Sequence, residues 1–267
     1  MPNPQGSFIW YELMTTDANA AAKFYGDVVG WTIATSPDPN APAGRDYRMI
    51  VRSDGGSAGG LLGLTPAMTA GGARPAWVGY HYVPDVDAAV RAIEADGGRV
   101  LMPRMTMHVG DIAMLTDPMG APFYVMRPVP PPGKAEASSD VFHASAAQHV
   151  RWNELHSTDV ARAKTFYGTH FGFRFPSSMS MGPLGEYWFI DHDAGALGAM
   201  MQVMPEGGSP GWRFYFGVPS AAAAERAIRA GGGTIEQGLH QVPGGEWIVM
   251  ARDPQGAPFG VVGVRGE

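Results

Sequence analysis

Two short stretches carry the side chains best suited to chemistry, and they are copies of one another. Trp10-Tyr11-Glu12-Leu13-Met14-Thr15-Thr16-Asp17 and Trp152-Asn153-Glu154-Leu155-His156-Ser157-Thr158-Asp159 align at a constant offset of 142. Both read as strands, on which successive side chains alternate between faces. Trp10, Glu12 and Met14 therefore share one face, and Trp152, Glu154 and His156 share the corresponding face of the other copy. A carboxylate beside an aromatic ring can orient a small molecule or act as an acid or base, and an imidazole adds a second proton carrier. Two later strands repeat the arrangement. Tyr80 and Tyr82 share a face with Val78, and Tyr215 shares one with Arg213. The plainer reading of both glutamates is structural, because a buried carboxylate needs hydrogen-bond donors or an arginine. For Glu154 the expected partner is Arg213. Val78 holds that place in the first half, so Glu12 must find another partner or hold its proton more tightly, which makes it the better general-base candidate. Among the other histidines, His81 falls on the opposite register of its strand and His108 lies in a loop. His192 sits in a polar turn between Asp191 and Asp193, and His240 occupies a loop rich in glycine and proline that suits a pocket rim. Neither a phosphate loop nor a Gly-x-Ser-x-Gly elbow is present.

The elements that position these residues form a tandem repeat. Beyond the first matched block, Phe24-Tyr25-Gly26 matches Phe166-Tyr167-Gly168. The stretch from Trp77 to Pro84 matches that from Trp212 to Pro219 at offset 135, and Asp117-Pro118-Met119-Gly120-Ala121-Pro122-Phe123 matches Asp253-Pro254-Gln255-Gly256-Ala257-Pro258-Phe259 at offset 136. Each half splits again. A strand runs over residues 8–14, Asp17 caps a helix, and extended segments follow near 47–52 and 60–64. The order then repeats, with a strand over 77–83, a helix capped by Asp85 and stopped by Gly97-Gly98, and strands near 112–115 and 123–127. In the second half Ser220 takes the capping place of Asp85. The Asp-Pro-x-Gly segments have the chemistry of tight hairpin turns. Four strand-helix-strand modules follow, grouped as a first domain over 1–127, a proline- and alanine-rich linker over 128–148 and a second domain over 149–267.

Composition narrows the partners. The chain has 267 residues, 45% hydrophobic, with a net charge of −6 and no basic run, which argues against nucleic acid. It lacks cysteine, so thiolate chemistry and Cys-based zinc sites are excluded. No apolar run is long enough to span a bilayer and no signal-peptide pattern opens the sequence, so a cytoplasmic protein is expected.

The order of the motifs resembles the vicinal oxygen chelate superfamily, which includes glyoxalases, bleomycin-resistance proteins and dioxygenases. The carriers are Phe-Tyr-Gly ending the first helix, the aromatic after Gly30 and Gly172, and Asp-Pro-x-Gly-Ala before the last strand. The resemblance implies an α+β fold of tandem βαβββ modules, two domains each shaped as a cupped, incomplete barrel, in a monomer or homodimer. It also implies that the shared strand faces described above line the cavities. Metal-using members carry His, Gln or Glu at positions that fall here on Trp10, Val78, Trp152 and Arg213, and Glu at positions that fall on Tyr124 and Gly260. A further ligand position does not align, Gln202 being the polar candidate near it. A divalent cation needs several converging N or O donors. The expectation is therefore a cavity without metal that binds a small, partly aromatic molecule, as the drug-sequestering members do. The ligand-binding residues would be Trp10, Met14, Tyr80, Tyr82, Tyr124, Trp152, His156, Arg213 and Tyr215. The alternative is a lyase, isomerase, hydrolase or dioxygenase using Glu12, Glu154 or a divalent metal.

Overall fold

The computed structural model describes residues 3–41, 44–130, 133, 137–193, 195–204 and 208–267. Positions 131–132 and 134–136 of the proline-rich linker lie outside the described residues. The first half contains β1 (Phe8–Thr15), α1 (Ala18–Val29), β2 (Thr32–Ile33), β3 (Tyr47–Val51), β4 (Ser57–Gly63) and α2 (Pro66–Ala70). It continues with β5 (Ala76–Tyr82), α3 (Val86–Ala95), β6 (Arg99–Met107), β7 (Gly110–Thr116) and β8 (Pro122–Pro128). The second half contains β9 (Val150–Ser157), α4 (Val160–Phe171), β10 (Ser178–Ser180), β11 (Glu186–His192) and β12 (Gly195–Gln202). Then come β13 (Gly211–Gly217), α5 (Ala221–Ala230), β14 (Thr234–Gln241), β15 (Trp247–Arg252) and β16 (Pro258–Gly263). Each half forms one open, mixed eight-stranded sheet, in the orders β2-β3-β4-β1-β5-β8-β7-β6 and β10-β11-β12-β9-β13-β16-β15-β14. The first strand of a module pairs in parallel with its last, as β1 does with β4 and β13 with β16. This is the expected α+β arrangement of two domains of βαβββ modules, with neither sheet closed into a barrel.

The helix boundaries follow from local chemistry. The Asp17 carboxylate accepts from the amides of Asn19 and Ala20, and Asp159 accepts from that of Arg162 at 2.9 Å. Gly30 and Gly172 end α1 and α4 in the left-handed conformation that glycine adopts without a Cβ penalty. Strand β6 escapes a reading based on alternation because Leu101 and Pro103 interrupt the pattern and the register shifts between Met102 and Met105.

By contacts the chain forms two compact units, and each draws on both halves. One comprises Met1–Trp10, Val78–Asp140 and Trp152–Trp212, and the other Tyr11–Trp77, Val141–Arg151 and Arg213–Glu267. In the second unit α1 packs on α5, and the Phe24 ring fits the notch left by the absent side chain of Gly231. The end of the linker packs here as well. Val141 is buried, and Gln148 holds the indole N–H of Trp31 and the amide of Ser53. In the first unit α3 packs on α4, and Asp96 at the end of α3 accepts from Arg162 and His170.

Each unit is centred on the same buried relay. In one, the Trp77 indole N–H donates to the Tyr25 hydroxyl at 2.8 Å, and that hydroxyl donates to Asp253 at 3.1 Å. In the other, Trp212 donates to Tyr167 and Tyr167 to Asp117, both at 3.2 Å. The second carboxylate oxygen accepts two amides of its own Asp-Pro-x-Gly turn, those of Met119 and Ala121 or of Gln255 and Ala257. Burial pushes both aspartates above the usual carboxylate range, and burial followed by the aspartate charge pushes both tyrosines well above theirs.

His81 shows what the opposite register of β5 does. Its ring is fully buried, 4.3 Å from that of Phe8 and 4.4 Å from that of Phe171, and Nδ1 lies 3.0 Å from the Gly6 carbonyl oxygen. Desolvation, only partly opposed by Gly6, lowers its pKa from 6.5 to about 3. Between those values the unfolded chain binds a proton that the folded chain refuses. Stability present above pH 6.5 is therefore lost as pH falls toward 3, with a limiting slope of about 1.4 kcal/mol per pH unit. Phenylalanine stands at the matching position, Phe216. Urea midpoints measured from neutral pH to about pH 5 are predicted to fall for the natural protein and to fall less steeply for His81→Phe; parallel profiles would contradict this.

Candidate functional site

On β9 the alternation buries Asn153 and Leu155 on one face and turns Trp152, Glu154 and His156 to the other. Parallel pairing sets Glu154 beside Ala199 of β12, and Ala199 in turn pairs with Phe189 of β11. Such a small residue lets Tyr187 of β11 reach over β12. The result is a continuous chain of hydrogen bonds. The Trp152 indole N–H donates to the Tyr187 hydroxyl at 2.8 Å, that hydroxyl donates to Glu154 Oε2 at 2.7 Å, and His156 Nε2 meets Glu154 Oε1 at 2.8 Å. Glu154 is buried, whereas Trp152, Tyr187 and His156 are half-buried. An ionised Glu154 accepts from Nε2 of His156, and in that tautomer Nδ1 is the nitrogen with the free lone pair. The Phe189 ring packs edge-on to Trp152 at 6.2 Å.

The structure thus brings Trp152, Glu154 and His156 together, as their spacing implied, and adds Tyr187, which the spacing did not. A signal for it exists. Asp46-Tyr47 and Glu186-Tyr187 form an acid-tyrosine pair repeated at offset 140, between the longer matched blocks. In the first half Glu12 is 3% exposed and pairs with Gly60 of β4. The Tyr47 hydroxyl lies where a Cβ of Gly60 would be, so Tyr47 crosses β4 over the bare glycine as Tyr187 crosses β12 near Ala199. Met14, at the place of His156, is buried and gives this copy no second proton carrier. Trp10 is half-buried on β1. Tyr80 of β5 stacks on Tyr124 of β8 with centroids 4.1 Å apart, and Tyr82 is half-buried at the end of β5.

One expectation is corrected. Arg213 does not serve Glu154. Its Nη2 donates to Glu236 of β14 at 2.5 Å, and Glu236 also holds Arg252 of β15 at 2.7 Å. Strand β14 lies two strands from β16, far from β13 in the sheet order, yet its side chain reaches the guanidinium. Tyr215 follows on the same face of β13, its ring lying where a Cβ of Gly260 would be. His192 is buried with Nε2 on the Gln5 carbonyl rather than in an open polar turn.

The same positions decide whether the residues suit a cation. Val78 is fully buried, the Trp152 N–H is committed to Tyr187, Arg213 is itself a cation and Gly260 has no side chain. Gln202 is exposed and donates to the Thr158 carbonyl. Among the described residues no group of three or more His, Asp or Glu side chains is placed to hold a metal ion. The donor set does not fit the cation that metal-using members hold.

With this geometry in place, comparison with known proteins gives the kinship. The model of the Glyoxalase/Bleomycin resistance protein/Dioxygenase superfamily matches residues 7–124, and that of the bleomycin resistance protein-like N-terminal region matches residues 150–184. CFP32 of Mycobacterium tuberculosis, which carries a glyoxylase name, is 31% identical over 97% of this chain and 95% of its own. The chain belongs to the glyoxalase/bleomycin resistance/dioxygenase superfamily. The anthracycline biosynthesis protein DauV of a Streptomyces species is 28% identical over 97% of this chain and 94% of its own. Among solved structures, a variant of 4-hydroxymandelate synthase from Streptomyces coelicolor superposes with a TM-score of 0.62 at 14% identity, covering 99% of this chain and 95% of that one. A Mn(II)-bound glyoxalase from Novosphingobium aromaticivorans gives 0.62 at 17% identity, covering 99% and 83%. At these identities the structures establish the fold alone. No helix among the described residues is long and apolar enough to cross a membrane.

Elemental analysis of protein purified without chelator tests the donor set directly. Well under one equivalent of Zn, Mn, Fe or Ni per chain is predicted, and a stoichiometric ion would contradict it.

Proposed function

We propose that this protein binds a small, partly aromatic organic molecule on the open face of β9 without the help of a metal. The carrying observation is the chain from Trp152 through Tyr187 and Glu154 to His156. It offers an aromatic surface beside a basic nitrogen already oriented by a carboxylate. A planar ring stacks on such a surface and removes apolar area from water, at roughly 25 cal/mol per Å². A phenolic or enolic hydroxyl on that ring would donate to Nδ1 of His156. Kinship with an anthracycline biosynthesis protein, over nearly the whole of both chains, supports polycyclic hydroxyaromatics as the ligand class. The Tyr80–Tyr124 stack is buried and belongs to the core.

A second reading is favoured by the Glu154–His156 contact. A carboxylate that fixes the tautomer of an imidazole is also the apparatus of a general base. On this reading His156 removes a proton from the bound molecule, Glu154 stabilises the resulting imidazolium, and Tyr187 keeps Glu154 in place.

Titration with hydroxyanthraquinones and hydroxynaphthalenes, followed by tryptophan fluorescence and melting temperature, tests both. Trp152→Ala is predicted to weaken binding about tenfold or more, which is about 1.4 kcal/mol. His156→Ala retains most of the affinity, and it abolishes product formation if the enzyme reading holds. Failure of every such compound to bind, or unchanged affinity in Trp152→Ala, contradicts the proposal.

A further inference from the structure

The sheet of the first half turns a methionine-bearing face away from its helices. Register fixes the members of that face, because directly paired residues project to the same side. One row runs from β5 through β8 and β7 to β6 as Tyr80, Tyr124, Met114 and Met102. The next runs as Tyr82, Met126, Ile112 and Met105. Tyr80 and Tyr124 are buried at the inner end, whereas Tyr82 and all four methionines are half-buried. Neither row carries a charge. Arg104 of β6 and Asp111 of β7 point the other way, and Arg104 pairs with both Asp111 and Asp87 of α3. The fold does not demand methionine here. The paired positions of the second sheet carry Val262 for Met126, Gln237 for Met102 and His240 for Met105, and Met250 alone matches Met114.

This face and the Trp152 chain lie on the same side of one helical layer. Behind the methionine rows, the rings of His81 and Phe123 pack on Phe171 of α4, with centroids 4.4 and 5.5 Å away. In the second sheet Lys164 of α4 lies 3.2 Å over the Trp188 ring, so the alternate residues Tyr187 and Phe189 face away from α4. All of these residues belong to one compact unit. Methionine continues onto the Trp152 side, where Met179 pairs with Tyr187 and Met201 with His156. A methionine side chain has three rotatable bonds and a polarisable sulfur that is attracted to aromatic rings, so a wall of them repacks around ring systems of different outline. The same wall offers nothing to an ionic substituent taken out of water.

We propose that the methionine rows of β6, β7 and β8 form the second wall of the ligand site at Trp152, and that this wall accepts uncharged fused-ring molecules of differing width while rejecting ionised ones. The inference deepens the proposed function and rests on it. Trp152 and His156 meet one edge of the guest, and the thioethers of Met102, Met105, Met114 and Met126 adapt to its breadth.

The experiment titrates protein isotopically labelled at the methionine methyl groups with a hydroxynaphthalene and with a wider hydroxyanthraquinone. Both are predicted to move the methyl signals of Met102, Met105, Met114 and Met126 upfield, because a methyl over a ring face is shielded by its ring current. Sulfonation of the hydroxynaphthalene is predicted to weaken binding about tenfold or more. The double variant Met102→Gln with Met105→His introduces residues that the second sheet already carries, and its melting curve verifies folding. It is predicted to bind both compounds about fivefold or more weakly. A compound that moves the Trp152 indole signal while those methyl signals stay in place overturns the second wall and spares the proposed function. Binding of neither compound overturns both. Equal binding of the sulfonated probe, or unchanged affinity in the double variant, overturns the second wall alone. So do methyl shifts on concentrating the ligand-free protein, which would mean that a second copy of the chain covers this face.

Discussion

Asp117 and Asp253 are almost wholly removed from water, and an ionised carboxylate is tolerated there only when donors meet it. In each compact unit one oxygen takes two amides of its own turn, and the other takes a tyrosine hydroxyl that an indole N–H meets in turn. Removing any member strands the others in a low-dielectric core, which is why these groups hold together as sets. The relay also explains why Phe-Tyr-Gly, the tryptophan opening β5 and β13, and Asp-Pro-x-Gly-Ala occur together twice. They are the donors and acceptors of one buried network. Because that network is satisfied and enclosed, its aspartates and tyrosines are scaffold, despite pKa values displaced by burial.

The chain Trp152–Tyr187–Glu154–His156 uses the same chemical vocabulary to a different end. Again an indole donates to a phenol and a phenol to a carboxylate. Here the carboxylate meets an imidazole with 14% of its side chain exposed, instead of two turn amides. The last group therefore retains an uncommitted nitrogen. The halves diverge at several matched positions. Met14 stands for His156, Val78 for Arg213, and His81 for Phe216. The first half keeps a carboxylate near a tyrosine but has an apolar side chain, Met14, where the second has the imidazole of His156.

Much of the scaffold was legible in the residues because its determinants are local. Asp17, Asp85 and Ser220 cap the helices they were expected to cap, and the Asp-Pro-x-Gly turns form as their chemistry requires. The face shared by Trp152, Glu154 and His156 follows from the pleat alone. What was not legible depends on strand order. The partner of Tyr25 lies 228 residues away in Asp253, and no periodicity reports it. Arg213 and Glu154 share one half and so look like partners in the sequence, whereas β14 supplies Glu236. Tyr187 was missed because reaching Glu154 requires crossing β12, which only the register reveals. Strand β6 is hidden because Pro103 and a shift of register break its alternation.

On the proposed function, the Trp152 relay is open to ligand while the two scaffold relays are closed. Indole N–H resonances separate them, since each of the seven tryptophans contributes one. During titration with a planar hydroxyaromatic compound, the Trp152 signal is predicted to shift while those of Trp77 and Trp212, locked onto Tyr25 and Tyr167, stay in place. A stationary Trp152 signal, or equal movement of all three, would contradict the account.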